Sequence, residues 1–201
     1  MCFSYIFLNG DIGNFTRPWQ SEVPPFTASV EKNVFYPCNE EDHGMVYIGW
    51  RGPSAITQRE DLSACVLLLK YLTDTSASPL QKEFVEIEGS YASDVKFSLS
   101  ENSVSMLYLA FQNVPKSKIS KIAGRLNTIL KQIVSNKNGI DMARMNIVIH
   151  RHILETLSIL ESKPHDSVAY MIIGDFLFGN TTEDVSILCT LFIHLFFFII
   201  F

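Results

Sequence analysis

The residues of this chain best suited to chemistry form a small cluster, His150-Arg151-His152-Ile153-Leu154-Glu155. Imidazole and carboxylate groups at short spacing are what a metal site or an acid–base pair requires. The spacing argues against both. On a helix, His150 and His152 point about 200° apart and cannot share an ion. His152 and Glu155 are three apart and can meet, but two ligands do not make a zinc site. Glu161 and His165 straddle Pro164, which marks a helix junction. Glu40-Glu41-Asp42 lacks the spaced oxygens and the twelfth-position glutamate of a calcium loop, and reads as a solvated turn. Gly49-Trp50-Arg51-Gly52-Pro53 has too few glycines for a phosphate cradle; its Gly52-Pro53 pair ends a strand. No serine stands in a G-x-S-x-G elbow and no cysteine sits beside a suitable base. The expected catalytic, cofactor-binding and metal-binding sets are therefore all empty.

The elements that would have to position such groups are ordinary ones. The 201 residues are 47% hydrophobic and 18% charged, against about 25% charged in an average domain, which excludes wholesale disorder. Lys plus Arg number 16 and Asp plus Glu 21, a formal net charge of −5. Without a basic block the chain lacks the footprint of nucleic-acid binding, and no nucleic-acid partner is expected. Cys2, Cys38, Cys65 and Cys189 fit neither a CxxC zinc pattern nor a compact disulfide framework. Cys65, in the run Cys65-Val66-Leu67-Leu68-Leu69, reads as a buried free thiol. A reducing, intracellular compartment fits.

The ends read differently from the middle. Met1–Leu8 is apolar but has no basic n-region and makes a poor signal peptide. Val185 to Phe201 carries no formal charge, and its length only just reaches that needed to cross a bilayer core of about 30 Å. It is either a tail anchor or a truncated or misread gene end. An anchor would normally have flanking Lys or Arg, and none lies there. Three segments are expected: 1–16 outside the domain, 17–180 one unit without linker or repeat, and the apolar tail 181–201.

Within the unit, Val34-Phe35-Tyr36 and Met45–Trp50 are β-rich runs around an acidic turn. Thr57-x-x-Glu60 is a capping-box pattern opening a helix with Leu62, Cys65, Val66, Leu69 and Leu72 on one face. Ser78 caps another helix with Pro79 at its first position, which Gly89 stops. Val95, Phe97 and Leu99 alternate with polar residues, Glu101-Asn102 turns the chain, and Val104 to Phe111 returns. That return strand is apolar on both faces, which predicts a central place in the sheet. Leu107, Leu109 and Phe111 alternate there with Met106, Tyr108 and Ala110. The sheet's second face is the expected contact surface, with Leu109→Asp the substitution chosen to disrupt it. Ile119 to Ile133 is a one-stripe helix, Asp141 caps a long helix to about Glu161, and Pro164 opens a last one. The order predicts an α+β fold: a mostly antiparallel sheet with helices packed on one face.

Several strings together carry a resemblance. They are Arg17-Pro18-Trp19-Gln20, then Glu41 to Pro53 (Glu41-Asp42-His43-Gly44-Met45-Val46-Tyr47-Ile48-Gly49-Trp50-Arg51-Gly52-Pro53), and Tyr71-Leu72-Thr73-Asp74-Thr75-Ser76-Ala77-Ser78-Pro79-Leu80. Glu83-Phe84-Val85-Glu86, Gly139-Ile140-Asp141-Met142-Ala143-Arg144-Met145 and Leu160-Glu161-Ser162-Lys163-Pro164-His165-Asp166 follow in order. The ordered set, from Arg17 to Asn180, resembles the second, non-catalytic domain of the pitrilysin-type zinc metallopeptidases, peptidase family M16. The large single-chain branch that includes presequence protease is the nearest in pattern.

The resemblance implies a pitrilysin-like (LuxS-like metallohydrolase) α+β domain. The family's zinc motif, His-x-x-Glu-His, lies in the preceding domain and is not found here. The implied role is thus part of a peptide-enclosing chamber, inactive alone, with zinc a cofactor of the parent family and none in this chain. The implied partners are a catalytic pitrilysin-type domain, in cis or in trans, and the parent enzyme's peptide substrates. The implied compartment is cytoplasmic or mitochondrial, with a membrane partner only if 185–201 is a genuine anchor. The chain is expected to be a fragment of a longer peptidase. The alternative is a stand-alone non-catalytic paralogue acting as an assembly partner.

Overall fold

The computed structural model describes residues 23–37, 42–55, 57–101, 103–136 and 139–178. The chain divides into two units, Met1–Lys32 and Asn33–Phe201. Residues 23–32 of the first contain neither helix nor strand. The acidic run Glu40-Glu41, three of the four cysteines, the segment 1–16 and the tail 181–201 lie outside the described residues.

The second unit runs β1 (His43–Arg51), α1 (Arg59–Thr73), α2 (Pro79–Phe84), β2 (Asp94–Ser100), β3 (Met106–Pro115), a 3-10 turn (Lys116–Lys121), α3 (Ile122–Ser135), α4 (Met142–Ser162) and α5 (Pro164–Phe178). The fold is α+β. Its sheet has the order β1-β3-β2 with both pairings antiparallel, so the strand apolar on both faces is indeed the central one. Register pairs Ile48 and Phe97 with Leu109, and Val46 and Val95 with Phe111. These side chains point to the helices. Phe84 of α2 stacks edge-on against Phe111 with ring centroids 4.8 Å apart. Leu69 and Leu72 of α1, Ile122, Leu126 and Ile129 of α3, and Val148 of α4 complete the same core.

Three expectations are corrected here. Val34-Phe35-Tyr36 is not a strand; it runs exposed ahead of β1, because no strand edge is aligned beside it. The first helix is not opened by a Thr57 capping box. Its N-cap is Gln58, whose Oε1 accepts from the Ser54 amide while its Nε2 donates to Asp61. Leu109 does not lie on the open face: it is 1% exposed, beneath the helices.

Other boundaries moved for local reasons. The α2 helix stops at Phe84, whose carbonyl accepts from the amides of Tyr91 and Ala92, and Gly89 serves the following turn at φ 67°. Such a left-handed angle costs an L side chain but not glycine. Ser78 does precede Pro79 at N1. Asp141 does cap α4, accepting from the amides of Ala143 and Arg144. Cys65 is a half-buried free thiol; burial, then the Asp61 carboxylate, push its pKa up, the direction of an unreactive cysteine.

Candidate functional site

On α4 the histidine cluster is drawn into an ion-pair network. Glu155 accepts from Lys70 Nζ at 2.5 Å, and Lys70 is only 15% exposed. Arg151 pairs with Asp74 and lies 3.5 Å from Glu155. The hydrogen bond from Lys70 holds the Glu155 carboxyl below its usual range, outweighing the upward push of burial. The glutamate nearest His152 is thus already engaged in joining α1 to α4. Among the described residues no group of three His, Cys, Asp or Glu is placed to hold a metal ion, so these residues offer no donor set for the zinc the resemblance implies.

A second polar node finishes the C-terminus of α1. Helix ends leave carbonyls without intrahelical donors. Arg144 of α4 donates to the carbonyls of Tyr71 and Ala77 at 2.8 and 2.7 Å, and to the buried Ser78 Oγ at 2.7 Å. Its guanidinium also lies over the Tyr71 ring, 4.6 Å from the centroid. Gln81 Nε2 donates to the carbonyls of Thr73 and Val95 and to Asp94. Burial pushes the Asp94 carboxyl up, but the hydrogen bonds from Gln81 and Lys96 prevail and its pKa falls. These side chains were not singled out as a site by residue type. Arg144 and its partners Tyr71, Ala77 and Ser78 fall in two of the strings that carry the resemblance, Tyr71–Leu80 and Gly139–Met145, which meet here; Gln81 and Asp94 lie in neither.

The remaining feature is the sheet face turned away from the helices. Register places Tyr47 beside Ala110, Gly49 beside Tyr108 and Arg51 beside Met106. Lys96 and Ser98 lie on the other side of the central strand, against Ala110 and Tyr108. Tyr47 is 62% exposed and Met106 46%, and no residue of this face in the three strands is buried between Met106 and Gln112. Tyr47 and Tyr108 approach with ring centroids 6.0 Å apart, and the Tyr47 hydroxyl reaches Met45 Sδ at 3.4 Å. A domain with a filled core on one face thus presents aromatic and methionine side chains on the other.

A family model described as the peptidase M16 inactive domain matches residues 8–151 of this sequence. The chain belongs to the peptidase M16 family. Curated relatives of this M16 chain include an uncharacterized protein of Caenorhabditis elegans, 30% identical over 86% of the chain. Uncharacterized proteins of Schizosaccharomyces pombe and Saccharomyces cerevisiae are 30% and 28% identical over 87% and 83% of it. The chain spans only 17%, 17% and 15% of those three proteins. Among solved structures, a protease from Helicobacter pylori shares the fold, with a TM-score of 0.55 and 18% identity. That match covers 74% of the M16 chain and 34% of the protease chain. None of the helices among the described residues is long and apolar enough to cross a membrane.

Proposed function

We propose that this chain is a non-catalytic M16 domain forming part of the wall of a peptide-enclosing chamber, inactive alone and completed by a catalytic M16 domain in cis or in trans. Zinc and its His-x-x-Glu-His ligands belong, in this reading, to that partner. The parent enzyme is of the large presequence-protease-like type and works inside the cell, in the cytoplasm or mitochondrion.

One observation carries the reading: the open sheet face of a domain whose family model is described as inactive. Tyr47, Tyr108, Met45, Met106 and Arg51 are the residue types enriched at the centre of protein interfaces. An uncovered patch of such side chains marks a contact surface. The face turns toward the catalytic domain and the peptide held between them.

The test is co-expression of the full chain with a catalytic domain bearing the zinc motif from the same genome. A stable complex with peptide hydrolysis shown by neither piece alone is expected. Tyr47→Asp with Tyr108→Asp should lose both complex and hydrolysis while the chain still melts as wild type, and His152→Ala should leave both intact. A chain that stays monomeric, melts cooperatively and is inert toward every such domain sinks the proposal.

A further inference from the structure

Residues 33–37, Asn33-Val34-Phe35-Tyr36-Pro37, are strand-forming in type and unused by the packed domain. Val34 is 78% exposed, Phe35 96% and Tyr36 56%. β-branched and aromatic residues favour a pleated, half-buried setting. Here they run without helix or strand assignment, and among the described residues their backbone has no hydrogen-bond partner. The segment is no linker, since the inactive-domain model already covers it, starting at residue 8. It is thus part of the domain's pattern while standing outside the domain's three-stranded sheet.

We infer that residues 33–37 are a donor strand that adds to the open edge of a sheet in the catalytic M16 domain. This rests on the chamber reading above and specifies how the two domains join. Strand addition supplies backbone hydrogen bonds to an extended, unpaired segment and pockets for its alternate side chains. There is polypeptide to supply the edge, because the chain spans only 17% of its Caenorhabditis elegans relative. A second copy of this chain is the weaker recipient. It offers the same β1 edge that lies just downstream in this chain. A tethered segment meets its own chain's edge at millimolar effective concentration, and residues 33–37 still do not pair with β1. An edge ignored in cis is a poor acceptor in trans.

The experiment uses the full chain and the catalytic domain of the co-expression test, followed by amide hydrogen exchange and binding titration. The amides of Val34, Phe35 and Tyr36 should gain protection when the catalytic domain is added. Phe35→Pro, which removes one backbone N–H at a residue already in solvent, should leave melting unchanged and weaken the complex by at least about tenfold. A complex that forms without protection at these amides, and binds Phe35→Pro equally well, overturns the donor strand and leaves the chamber reading standing. Protection that rises with concentration in the chain alone makes a second copy the recipient and overturns it too. Failure of the wild-type chain to form any complex removes both readings together.

Discussion

Replacing Arg144 with alanine should be among the most damaging changes outside the apolar core. The side chain donates three hydrogen bonds across sequence separations of 66 to 73 residues, to Ser78 Oγ and the carbonyls of Ala77 and Tyr71. Hydrogen bonds to a charged group contribute about 1.5–3 kcal/mol each. The guanidinium is only half-buried and water can return to the Ala77 carbonyl, so the low end applies to two bonds and less to the third. The expected loss is about 3 kcal/mol. For a domain of this size that is a fall of about 6–12 °C in Tm. Arg144→Lys keeps the charge but loses the planar fork, and should recover about half of the loss. Urea unfolding of the full chain followed by far-UV circular dichroism gives the first number, and a thermal melt the second. Lys131→Ala, on the exposed side of α3, is the control. If Arg144→Ala falls within about 0.5 kcal/mol of wild type, the usual range for a surface change, the node contributes nothing and the reasoning is wrong. Equal stability of the alanine and lysine variants, both well below wild type, would refute the part assigned to charge.

Two further outcomes follow from the same structure. Leu109→Asp places a carboxylate where the side chain is 1% exposed, and should cost upward of about 3 kcal/mol and abolish cooperative melting; Tyr108→Asp, one residue away on the open face, should melt within about 1 kcal/mol of wild type. The pH dependence of stability has a definite sign at Glu155: a carboxyl whose folded pKa is lowered stabilises the fold fully above the unfolded value of about 4.3 and loses that contribution as pH falls through the lowered one. The urea midpoint of wild type should therefore drop more steeply below about pH 5 than that of Glu155→Gln, and parallel profiles would show that the Lys70 pair is mere surface decoration.

The hairpin of β2 and β3, the central place of β3, the one-stripe helix α3 and the Asp141 cap were legible because each is a local pattern. Alternation and a capping aspartate need only neighbours in sequence; Asn102, expected to turn the chain, lies outside the described residues. The face that β3 buries was not legible, since Leu107, Leu109 and Phe111 and their alternates Met106, Tyr108 and Ala110 are all apolar. Only the helices settle which row is covered, and they cover that of Leu107, Leu109 and Phe111, with Phe84 filling the space against Phe111. The strand expected at Val34–Tyr36 failed for a related reason: strand propensity expresses packing against a neighbour, and no neighbour aligns. The family was legible as a resemblance, and the sheet's second face was named from the alternation of β3, though with Leu109 wrongly placed on it. Arg144 and Lys70 stayed invisible because their partners lie far along the chain, up to 85 residues away for Lys70 and Glu155.

That distance has a consequence for synthesis. The last carbonyls of α1 receive their donors from Gln81 and Arg144, and Lys70 receives its counter-ion from Glu155. During translation, at about 5–20 residues per second, the first helix emerges many seconds before α4 exists to finish it. Until about residue 155 has left the ribosome, the nascent chain carries a helix whose Tyr71 carbonyl lacks its Arg144 donor and whose Lys70 lacks its Glu155 counter-ion. Closing such long loops is slow relative to local structure. The α1 helix is therefore the element that chaperones should meet half-made, and its final turn should be the last part of this domain to become protected from a protease acting on stalled chains.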